Sequence, residues 1–291
     1  MEINKVYQGN CKDLLKEIPN NFIDLTITSP PYDNLRDYEG CKWNMEIFKD
    51  IAKELYRVTK EGGVVVWVVG DSTVNGSETG NSFRQALFFK EIGFNLYDTM
   101  IYQKKEMPFP SDTRYLSCFE YMFILSKNKP KTINLIKEEV KYLGKNISTS
   151  RQKDGSKKVF QSKSNGFRPK FNVWIYGTGY QKTTKDKFAY EHPAMFPEAL
   201  VKDHIISWSK EGDVILDPFA GSGTTLKIAR LLNRNYLGFE ISKKYVSLIN
   251  KRKRQESILA HFDVTQALAT QESLNRNLAD FSVEKSQIPP K

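Results

Sequence analysis

Residues 213–225 read DVILDPFAGSGTT, and the interpretation of the whole chain starts from them. The apolar, β-branched beginning of this stretch predicts a buried strand that ends at Asp217. Gly221 and Gly223 permit a tight backbone turn, because a Cβ atom would hinder it. The helix that we expect to follow from Thr224 has free N–H groups in its first turn. Together these features predict a site for an anionic or carboxylate group.

Two common nucleotide-binding patterns fit this stretch poorly. The pattern G-x-x-x-x-G-K-[ST] requires a lysine, but Thr224 follows Gly223. The pattern G-x-G-x-x-G fails because position 226 is Leu. A glycine turn with a purely structural role remains the alternative for a lone G-x-G string. About twenty residues further on, Glu240 ends a second predicted strand, where an acid can accept hydrogen bonds from both hydroxyls of a ribose.

Predicted strands alternate with predicted helices on both sides of a polar middle segment. Residues 45–60 carry one apolar stripe at helical spacing, and we expect Glu61-Gly62-Gly63 to end that helix. The run VVVWVVGD that follows is typical of a strand covered on both faces. Ser82 is the predicted cap of the next helix. The alternation predicts the α/β class, with a doubly wound, mostly parallel sheet.

The positive charge of the chain is concentrated in one segment. The formal net charge is +10, and residues 127–187 contain sixteen Lys/Arg against four Asp/Glu. The excess in this segment therefore exceeds the net charge of the whole chain. A solvated surface loop would explain it, but the aromatic residues interleaved with the lysines favour a surface that contacts phosphates.

A second informative string, Ser29-Pro30-Pro31-Tyr32, follows the predicted strand at residues 24–28. Two consecutive prolines stiffen the backbone and hold the Pro30 carbonyl in one direction. Tyr32 offers a flat face on which a nucleobase could stack. A proline-rich turn or a polyproline ligand is the alternative for such a string by itself. It is disfavoured here because the string ends a strand and occurs together with DPFAGSGTT.

These two strings resemble the catalytic and cofactor loops of DNA amino-methyltransferases from restriction–modification systems. The catalytic loop comes first in this chain, which is the circularly permuted, beta-type order of that family. The segments EYMFILSK, NVWIY, HPAMFPEAL and GFEISKKY are similar to the same family. The resemblance covers roughly residues 4–127 and 171–254 and implies the S-adenosylmethionine-dependent methyltransferase fold. It fails in the basic segment, where such enzymes carry divergent target-recognition regions.

The resemblance implies a role for each loop. S-adenosyl-L-methionine would be the cofactor, and Ser29, Pro30, Pro31 and Tyr32 would receive the amino group of a flipped base. In the family an acid in the place of Asn10 contacts adenine, so the asparagine departs from the pattern. The cofactor contacts would come from Asn10, Phe196, Asp217, Pro218, Phe219, Gly221, Ser222, Gly223, Thr224 and Glu240. The DNA contacts would come from Arg36, Lys141, Lys145, Arg151, Lys153, Lys157, Lys158, Lys163, Arg168 and Lys170.

The target base is less constrained than the reaction. The resemblance favours N4 of cytosine, because Ser is commoner than Asp as the first residue of the loop in such enzymes. N6 of adenine is the alternative. A protein glutamine methyltransferase is a more remote one, since those enzymes typically have Asn first and the cofactor loop earlier. A DNA-binding protein on a non-catalytic methyltransferase scaffold is disfavoured by the intact Asp217, Gly221, Gly223 and Glu240.

We expect four regions along the chain. Their limits are 1–127 for the catalytic half of the methyltransferase domain, 128–170 for the inserted target-recognition region, 171–254 for the cofactor-binding half and 255–291 for a C-terminal extension. Double-stranded DNA is the expected partner. A cognate restriction endonuclease that forms no stable complex, and a homodimer, stay open.

The remaining composition gives no sign of a membrane or metal protein. No stretch approaches ~20 uninterrupted apolar residues, and there is no apolar signal core at the start. Cys11, Cys41 and Cys118 are too widely spaced for a disulfide framework and fit a reducing cytoplasm. The three histidines have no ligand-like spacing and are expected to be packing or surface residues: His192, His204 and His261.

Overall fold

A computed structural model describes residues 1–31, 43–106, 112–192 and 195–254. Strands and helices alternate along most of this part of the chain, as the sequence predicts. The strands are β1 Lys5–Gln8, β2 Ile23–Thr28, β3 Thr59–Val69, β4 Thr73–Val74, β5 Ser77–Glu78, β6 Asn95–Lys104, β7 Phe119–Ser126, β8 Lys137–Arg151, β9 Lys157–Pro169, β10 Val173–Tyr176, β11 Val214–Asp217 and β12 Asn235–Glu240. The α-helices are α1 Cys11–Leu14, α2 Met45–Val58, α3 Asn81–Glu91, α4 Glu198–Trp208, α5 Thr224–Leu231 and α6 Lys243–Arg254.

Eight of the strands form one sheet in the order β1-β12-β11-β2-β3-β7-β6-β10. Strand β7 pairs antiparallel with both of its neighbours, and all the other pairs in this sheet are parallel. The N-terminal strand β1 lies beside the C-terminal strand β12, so the two ends of the described chain contribute to the same half of the sheet. The carboxyl ends of the parallel strands therefore meet at one edge, where open α/β sheets bind their ligands.

The sheet is covered on both faces, as the unbroken apolar run in β3 predicts. Val64, Val66 and Val68 belong to a core that also contains residues of α4 and α5. Val65, Trp67 and Val69 belong to a second core with residues of α2 and α3. Since successive side chains of a strand point to opposite faces, one apolar strand contributes to both cores. The doubly wound α/β prediction is confirmed.

Two local predictions differ from the structure. Helix α2 ends at Val58, and residues 61–63 continue as part of β3 instead of stopping the helix. The backbone N–H of Gly62 donates to Lys127 O, so this segment is tied to the end of β7. Ser82 is not a cap, because the N-cap of α3 is Gly80 in a left-handed conformation. Ser82 lies inside the helix and is hydrogen-bonded to the Asp71 carboxylate.

The basic segment forms a long hairpin with a sheet of its own. Strands β8 and β9 pair antiparallel, with Lys145 opposite Lys163 and Arg151 opposite Lys157. The sequence predicts an inserted region at residues 128–170 without assigning strands to it, so the two long strands are a feature that the structure adds. In the part of the chain that the structure describes, no helix is long and apolar enough to cross a membrane.

Candidate active site

The two loops of interest leave the sheet side by side, although 189 residues separate the strand residues that precede them. Strands β2 and β11 are parallel neighbours, with Thr26 opposite Leu216. The Thr28 hydroxyl donates to Asp217 Oδ1 over 2.7 Å. This bond joins the last residue of β2 to the last residue of β11. The Ser29 loop and the glycine loop thus begin at adjacent points of the same sheet edge.

A single cleft of about 1060 Å³ runs between these loops. It contains most of the residues that the sequence nominates. From the catalytic loop, Ser29, Pro30 and Pro31 line it. From the cofactor set, the lining residues are Asn10, Phe196, Asp217, Pro218, Phe219, Gly221, Ser222, Thr224 and Glu240. The cleft therefore brings together two sets of residues that are remote in sequence.

Among the described residues of the catalytic and cofactor sets, all except Gly223 line the cleft. Gly223 supports the turn, because its φ of +78° is left-handed and a Cβ atom there would lie 2.9 Å from Ile249 Cγ1. Tyr32 and Arg36 lie outside the described residues. Gly221 is also left-handed, and a Cβ atom there would lie 2.9 Å from the His192 ring. The close approach of His192 to the glycine loop is possible only without a side chain at 221.

Glu240 is fixed by the backbone of the loop that faces it. Its Oε2 accepts from Gly221 N at 2.8 Å, and its Oε1 accepts from Ser242 N at 2.9 Å. Burial raises the pKa of this carboxyl, against the opposing effect of these two hydrogen bonds. Each carboxylate oxygen can still accept another bond. Glu240 is therefore held toward the cleft with acceptor capacity left for a ligand.

Asp217 is the most perturbed acid of the cleft. Its side chain is only 2% exposed, and burial raises its pKa to about 6. Hydrogen bonds from Thr28, Thr225 and the Phe219 N–H act in the opposite direction. Two acids with raised pKa values in one cleft are stabilised in their charged form by a nearby cation. The cleft thus fits a ligand that carries positive charge, as the sulfonium and ammonium groups of S-adenosylmethionine do.

Asn10 occupies the start of α1, next to the same cleft. It is the N-cap of that helix, and its Oδ1 accepts from Lys12 N at 3.0 Å. Its neighbour Gly9 donates its N–H to Glu240 O at 2.9 Å. The capping bond leaves the amide N–H₂ group of Asn10 as the donor that could face a ligand.

Several lining residues escape sequence reasoning. Tyr102 and Lys104 of β6 and Glu120 of β7 lie on the wall away from the glycine loop, and the Lys104 ammonium pairs with Glu120 at 2.8 Å. The Tyr102 hydroxyl is buried and has no hydrogen-bond partner among the described residues. Tyr102 and Lys104 lie near the carboxyl end of β6, and Glu120 lies near the amino end of β7, which is antiparallel and so begins at the same edge of the sheet. Position at this edge is the one signal in the sequence that could have found these three residues.

His192 is a packing residue, as expected, but it packs inside the cleft. Its ring contacts that of Tyr245 edge-on, with centroids 4.5 Å apart, and both residues line the cavity. His204 is buried between Met122 and Trp208, where burial lowers its pKa to about 3. His261 lies outside the described residues. The sequence signal that could have placed His192 in the cleft is its position four residues before Phe196, in the string HPAMFP.

The nominated lysines and arginines between residues 141 and 170 lie on the hairpin or at its base and are not among the residues that line the cleft. Six of them are exposed on the hairpin: Lys141, Lys145, Arg151, Lys153, Lys157 and Lys158. The structure describes only the backbone of Lys163. Arg168 and Lys170 lie at the base of the hairpin and are paired with acids, Arg168 with Glu138 at 2.7 Å and Lys170 with Asp203 at 3.6 Å. These last two contribute less free positive charge to the surface.

The chain is similar to known proteins over most of its length. The N6/N4 methyltransferase family model, described as DNA methylase, matches residues 23–251. The orphan methyltransferase M.BamHII of Bacillus amyloliquefaciens is 57% identical over 243 residues, which cover 81% of this chain and 91% of that protein.

Two solved structures have the same fold. The cytosine-N4-specific PvuII DNA methyltransferase has a TM-score of 0.62 at 18% identity, over 90% of each chain. The modification methylase TTHA0409 of Thermus thermophilus, complexed with S-adenosyl-L-methionine, has a TM-score of 0.57 at 22% identity, over 86% of this chain and 92% of that one. Both lie below 25% identity and inform on the fold alone. The match over most of the chain, with the close relative, establishes that this protein belongs to the N6/N4 DNA methylase family.

Proposed function

We propose that this protein transfers a methyl group from S-adenosylmethionine to the exocyclic amino group of a base swung out of duplex DNA, with N4 of cytosine as the favoured target. The amino-methyltransferase activity and the cofactor are those of the family to which the chain belongs. The target base and the roles of individual residues are our inferences. The observation that carries the residue roles is the bond between Thr28 and Asp217, because it joins the strand ends from which the Ser29 loop and the glycine loop begin. The choice of base rests on Ser29 as the first residue of its loop.

Ser29 and Pro30 would activate the amino group of the target base. Its nitrogen is a poor nucleophile, since its lone pair is delocalised into the ring. Acceptors aimed at both N–H groups favour a more tetrahedral nitrogen and stabilise the positive charge that it gains on methylation, before its proton passes to solvent. The Ser29 hydroxyl and the Pro30 carbonyl can supply these two acceptors, and the Pro30-Pro31 pair restricts the movement of the backbone between them. Tyr32 would stack on the everted base.

The cofactor would lie along the glycine loop. Asp217, Phe219 and Gly221 suit its methionine end, and Glu240 suits the ribose hydroxyls, since its oxygens keep acceptor capacity. Phe196 and Asn10 would contact the remainder, with the Asn10 amide near adenine. When bound, S-adenosylmethionine supplies the methyl carbon as an electrophile on a positively charged sulfur. Asp217, the buried acid at the methionine end, would hold that positive charge next to the Ser29 loop.

The hairpin of β8 and β9 would contact the DNA backbone and read the target sequence. Its exposed lysines supply charge for phosphates, and its length lets it reach beyond the body of the sheet. We also infer that the protein acts without a stable complex with a restriction endonuclease, by analogy with a relative that is named an orphan methyltransferase. A homodimer stays a prediction.

Digestion of methylated DNA to nucleosides, followed by mass spectrometry, tests the proposal. We expect N4-methylcytosine after incubation of duplex DNA with the protein and S-adenosylmethionine. N6-methyladenine in its place would overturn the choice of base while leaving the reaction intact. Binding of S-adenosylmethionine with neither methylated nucleoside, on DNA that offers many sequence contexts, would contradict the proposed reaction.

A further inference from the structure

Four charged side chains form a buried network behind the glycine loop. The cations are Lys227 of α5 and Arg252 of α6, each with a side chain that is 1% exposed. The anions are Asp186, in the segment after β10, and Glu198, in the first turn of α4. Two cations and two anions cancel, which is the condition under which buried charges are tolerated.

Lys227 joins the two acids to each other. Its Nζ lies 2.8 Å from Asp186 Oδ2 and 2.9 Å from Glu198 Oε1. Burial alone would disfavour the charged form of Asp186, but hydrogen bonds from Lys227 and Arg252 hold its pKa below the usual range. Asp186 is therefore ionised at neutral pH, and the network is an ionic one.

Arg252 joins the acids to the glycine loop. Its Nε donates to Asp186 Oδ2 at 2.8 Å. One terminal nitrogen donates to Ser222 O at 3.0 Å and to Thr224 Oγ1 at 2.9 Å. The other donates to Glu198 Oε1 at 2.7 Å and to Thr184 Oγ1 at 3.1 Å. One planar guanidinium thus binds three chain segments, and the ammonium of a lysine could not reproduce this geometry.

The segments that Arg252 joins carry two neighbouring parts of the cleft lining. Ser222 and Thr224 belong to the glycine loop. In the other part, the lining residues Thr183 and His192 flank the bonded residues Thr184 and Asp186, and Phe196 precedes Glu198. The position of one part relative to the other is therefore held from behind, by charged groups that do not line the cleft themselves.

We propose that Arg252 is a positioning residue for the cofactor, which sets the spacing of the glycine loop from residues 183–192 and 195–198 through Asp186, Glu198 and Lys227. This inference rests on the proposed function, because it assigns the cleft that these residues line to S-adenosylmethionine. A preformed cleft binds more tightly than one that must be ordered by its ligand. Loss of the network should therefore weaken cofactor binding before it affects the methyl-transfer step.

Arg252→Lys tests the proposal, because it keeps the charge and removes the fork of donors. We expect the Kd for S-adenosylmethionine, and for its demethylated product, to rise by about tenfold or more by calorimetry. The KM for the cofactor should rise in parallel, with kcat at saturating cofactor within about twofold of the wild type. Arg234→Lys is the matched control, because Arg234 binds Ser209 and Leu232 O away from the cleft.

The control separates positioning from plain stabilisation. Equal weakening of cofactor binding by both substitutions, or unchanged binding by Arg252→Lys, would refute the positioning role. Should Arg252→Lys fail to fold, Thr184→Val removes one acceptor of the network with no change in charge and is expected to raise the Kd about threefold or more. Its control is Thr132→Val, since the buried Thr132 hydroxyl has no partner among the described residues.

The same titrations distinguish a failure of this inference from a failure of the proposed function. Wild-type protein that binds S-adenosylmethionine and methylates DNA, together with an Arg252→Lys variant that binds as tightly, would refute only the positioning role. Wild-type protein that shows no heat of binding with the cofactor would contradict the assignment of the cleft, and the positioning role with it.

Discussion

At the scale of single residues, the hydroxyl of Ser29 is the group that the proposed chemistry uses most directly. Ser29→Ala removes one of two acceptors for the amino group. We expect kcat to fall by about 10²-fold, the size of the effect when one hydrogen bond to a reacting group is lost in other enzymes. Single-turnover methylation of duplex DNA measures this rate.

Ser126→Ala is the control for that substitution. Its hydroxyl is buried in β7 without a partner among the described residues, and it does not line the cleft. The same loss of rate in both variants, with an unchanged amount of folded protein, would exclude the role of Ser29 as an acceptor.

Asp217 should make the stability of the protein depend on pH in an unusual direction. Its pKa of about 6 lies above that of an exposed aspartate, so between pH ~4 and ~6 the folded state binds more protons than the unfolded one. The free energy of unfolding should therefore fall as pH rises through this window, by about 3 kcal/mol from this group. Above pH ~6 both states are ionised, and the contribution is constant.

Urea unfolding of the wild type and of Asp217→Asn between pH 4 and 7 measures this contribution. The substitution removes the ionisable group and with it the contribution of Asp217 to the pH dependence. The difference between the two curves therefore isolates Asp217 from acids with lowered pKa values, such as Asp24 and Asp186. Parallel curves for the two proteins would show that the pKa of Asp217 is not raised in solution.

Residue identity alone found only part of the site. Ser29, Asp217, Gly221 and Glu240 lie in strings whose order and spacing are specific, so the sequence predicts that they belong together. Arg252 could not be found in this way, because its bond to Asp186 spans 66 residues and neither residue belongs to a distinctive string. A lysine or arginine on a helix is usually solvated. Only the packing of α6 against the segment after β10 reveals this one as buried.

At the scale of elements, the strands of the large sheet were predictable because burial on both faces leaves unbroken apolar runs. The basic hairpin was not predictable, since exposure of both faces removes the alternation by which a strand is recognised. The helix stop predicted at residues 61–63 differs from the structure for another reason. Helix α2 already ends at Val58, and Gly62, with a φ of +76°, is accommodated within β3 beside Lys131.

The charged network should contribute to the stability of the elements that it joins. Asp186→Asn leaves two cations, Lys227 and Arg252, with Glu198 as their one remaining anion in the network. The buried cluster then has one uncompensated positive charge. Removal of one partner from a buried ionic cluster typically costs about 3–5 kcal/mol, so we expect the free energy of unfolding to fall by about that amount. Urea denaturation at pH 7 gives the value.

Asp154→Asn provides the comparison for that measurement. Asp154 lies exposed in the turn of the hairpin and bonds only to Ser156 in the described structure, so its substitution should change the free energy of unfolding by no more than about 0.5 kcal/mol. An effect of Asp186→Asn as small as this would mean that solvent reaches the network.

At the scale of the whole molecule, the order of the strands in the sheet brings the two loops together, whichever loop comes first along the chain. The chain begins at one side of the cofactor half, crosses to β2, builds the far half and the hairpin, and returns through β11 and β12. The sequence predicts the permuted order from its two strings. It could not predict that β1 pairs with β12, because that contact joins residues near the two ends of the described chain.

The cleft and the exposed lysines of the hairpin lie on different parts of the molecule, so their roles in binding can be tested separately. The cleft lies at the edge of the large sheet, whereas the exposed lysines lie on a separate two-stranded sheet. Neutralising the hairpin should therefore weaken DNA binding without a change in cofactor affinity. Replacement of Lys153, Lys157 and Lys158 by Gln should reduce the slope of log K against log salt by about 0.9 for each lysine that neutralises a phosphate in the wild type.

Fluorescence anisotropy with duplex DNA over a salt series, and calorimetry with S-adenosylmethionine, give the two quantities. The matched control replaces three exposed lysines elsewhere on the body of the protein, Lys53, Lys90 and Lys210. It changes the net charge equally, so any loss of affinity that it shares with the hairpin variant reflects the overall field. A hairpin variant with the DNA affinity and salt slope of this control would place the DNA-contacting surface elsewhere. One that also loses cofactor binding would mean that the hairpin and the cleft are not independent, because DNA contacts alone cannot alter the affinity of the free protein for its cofactor.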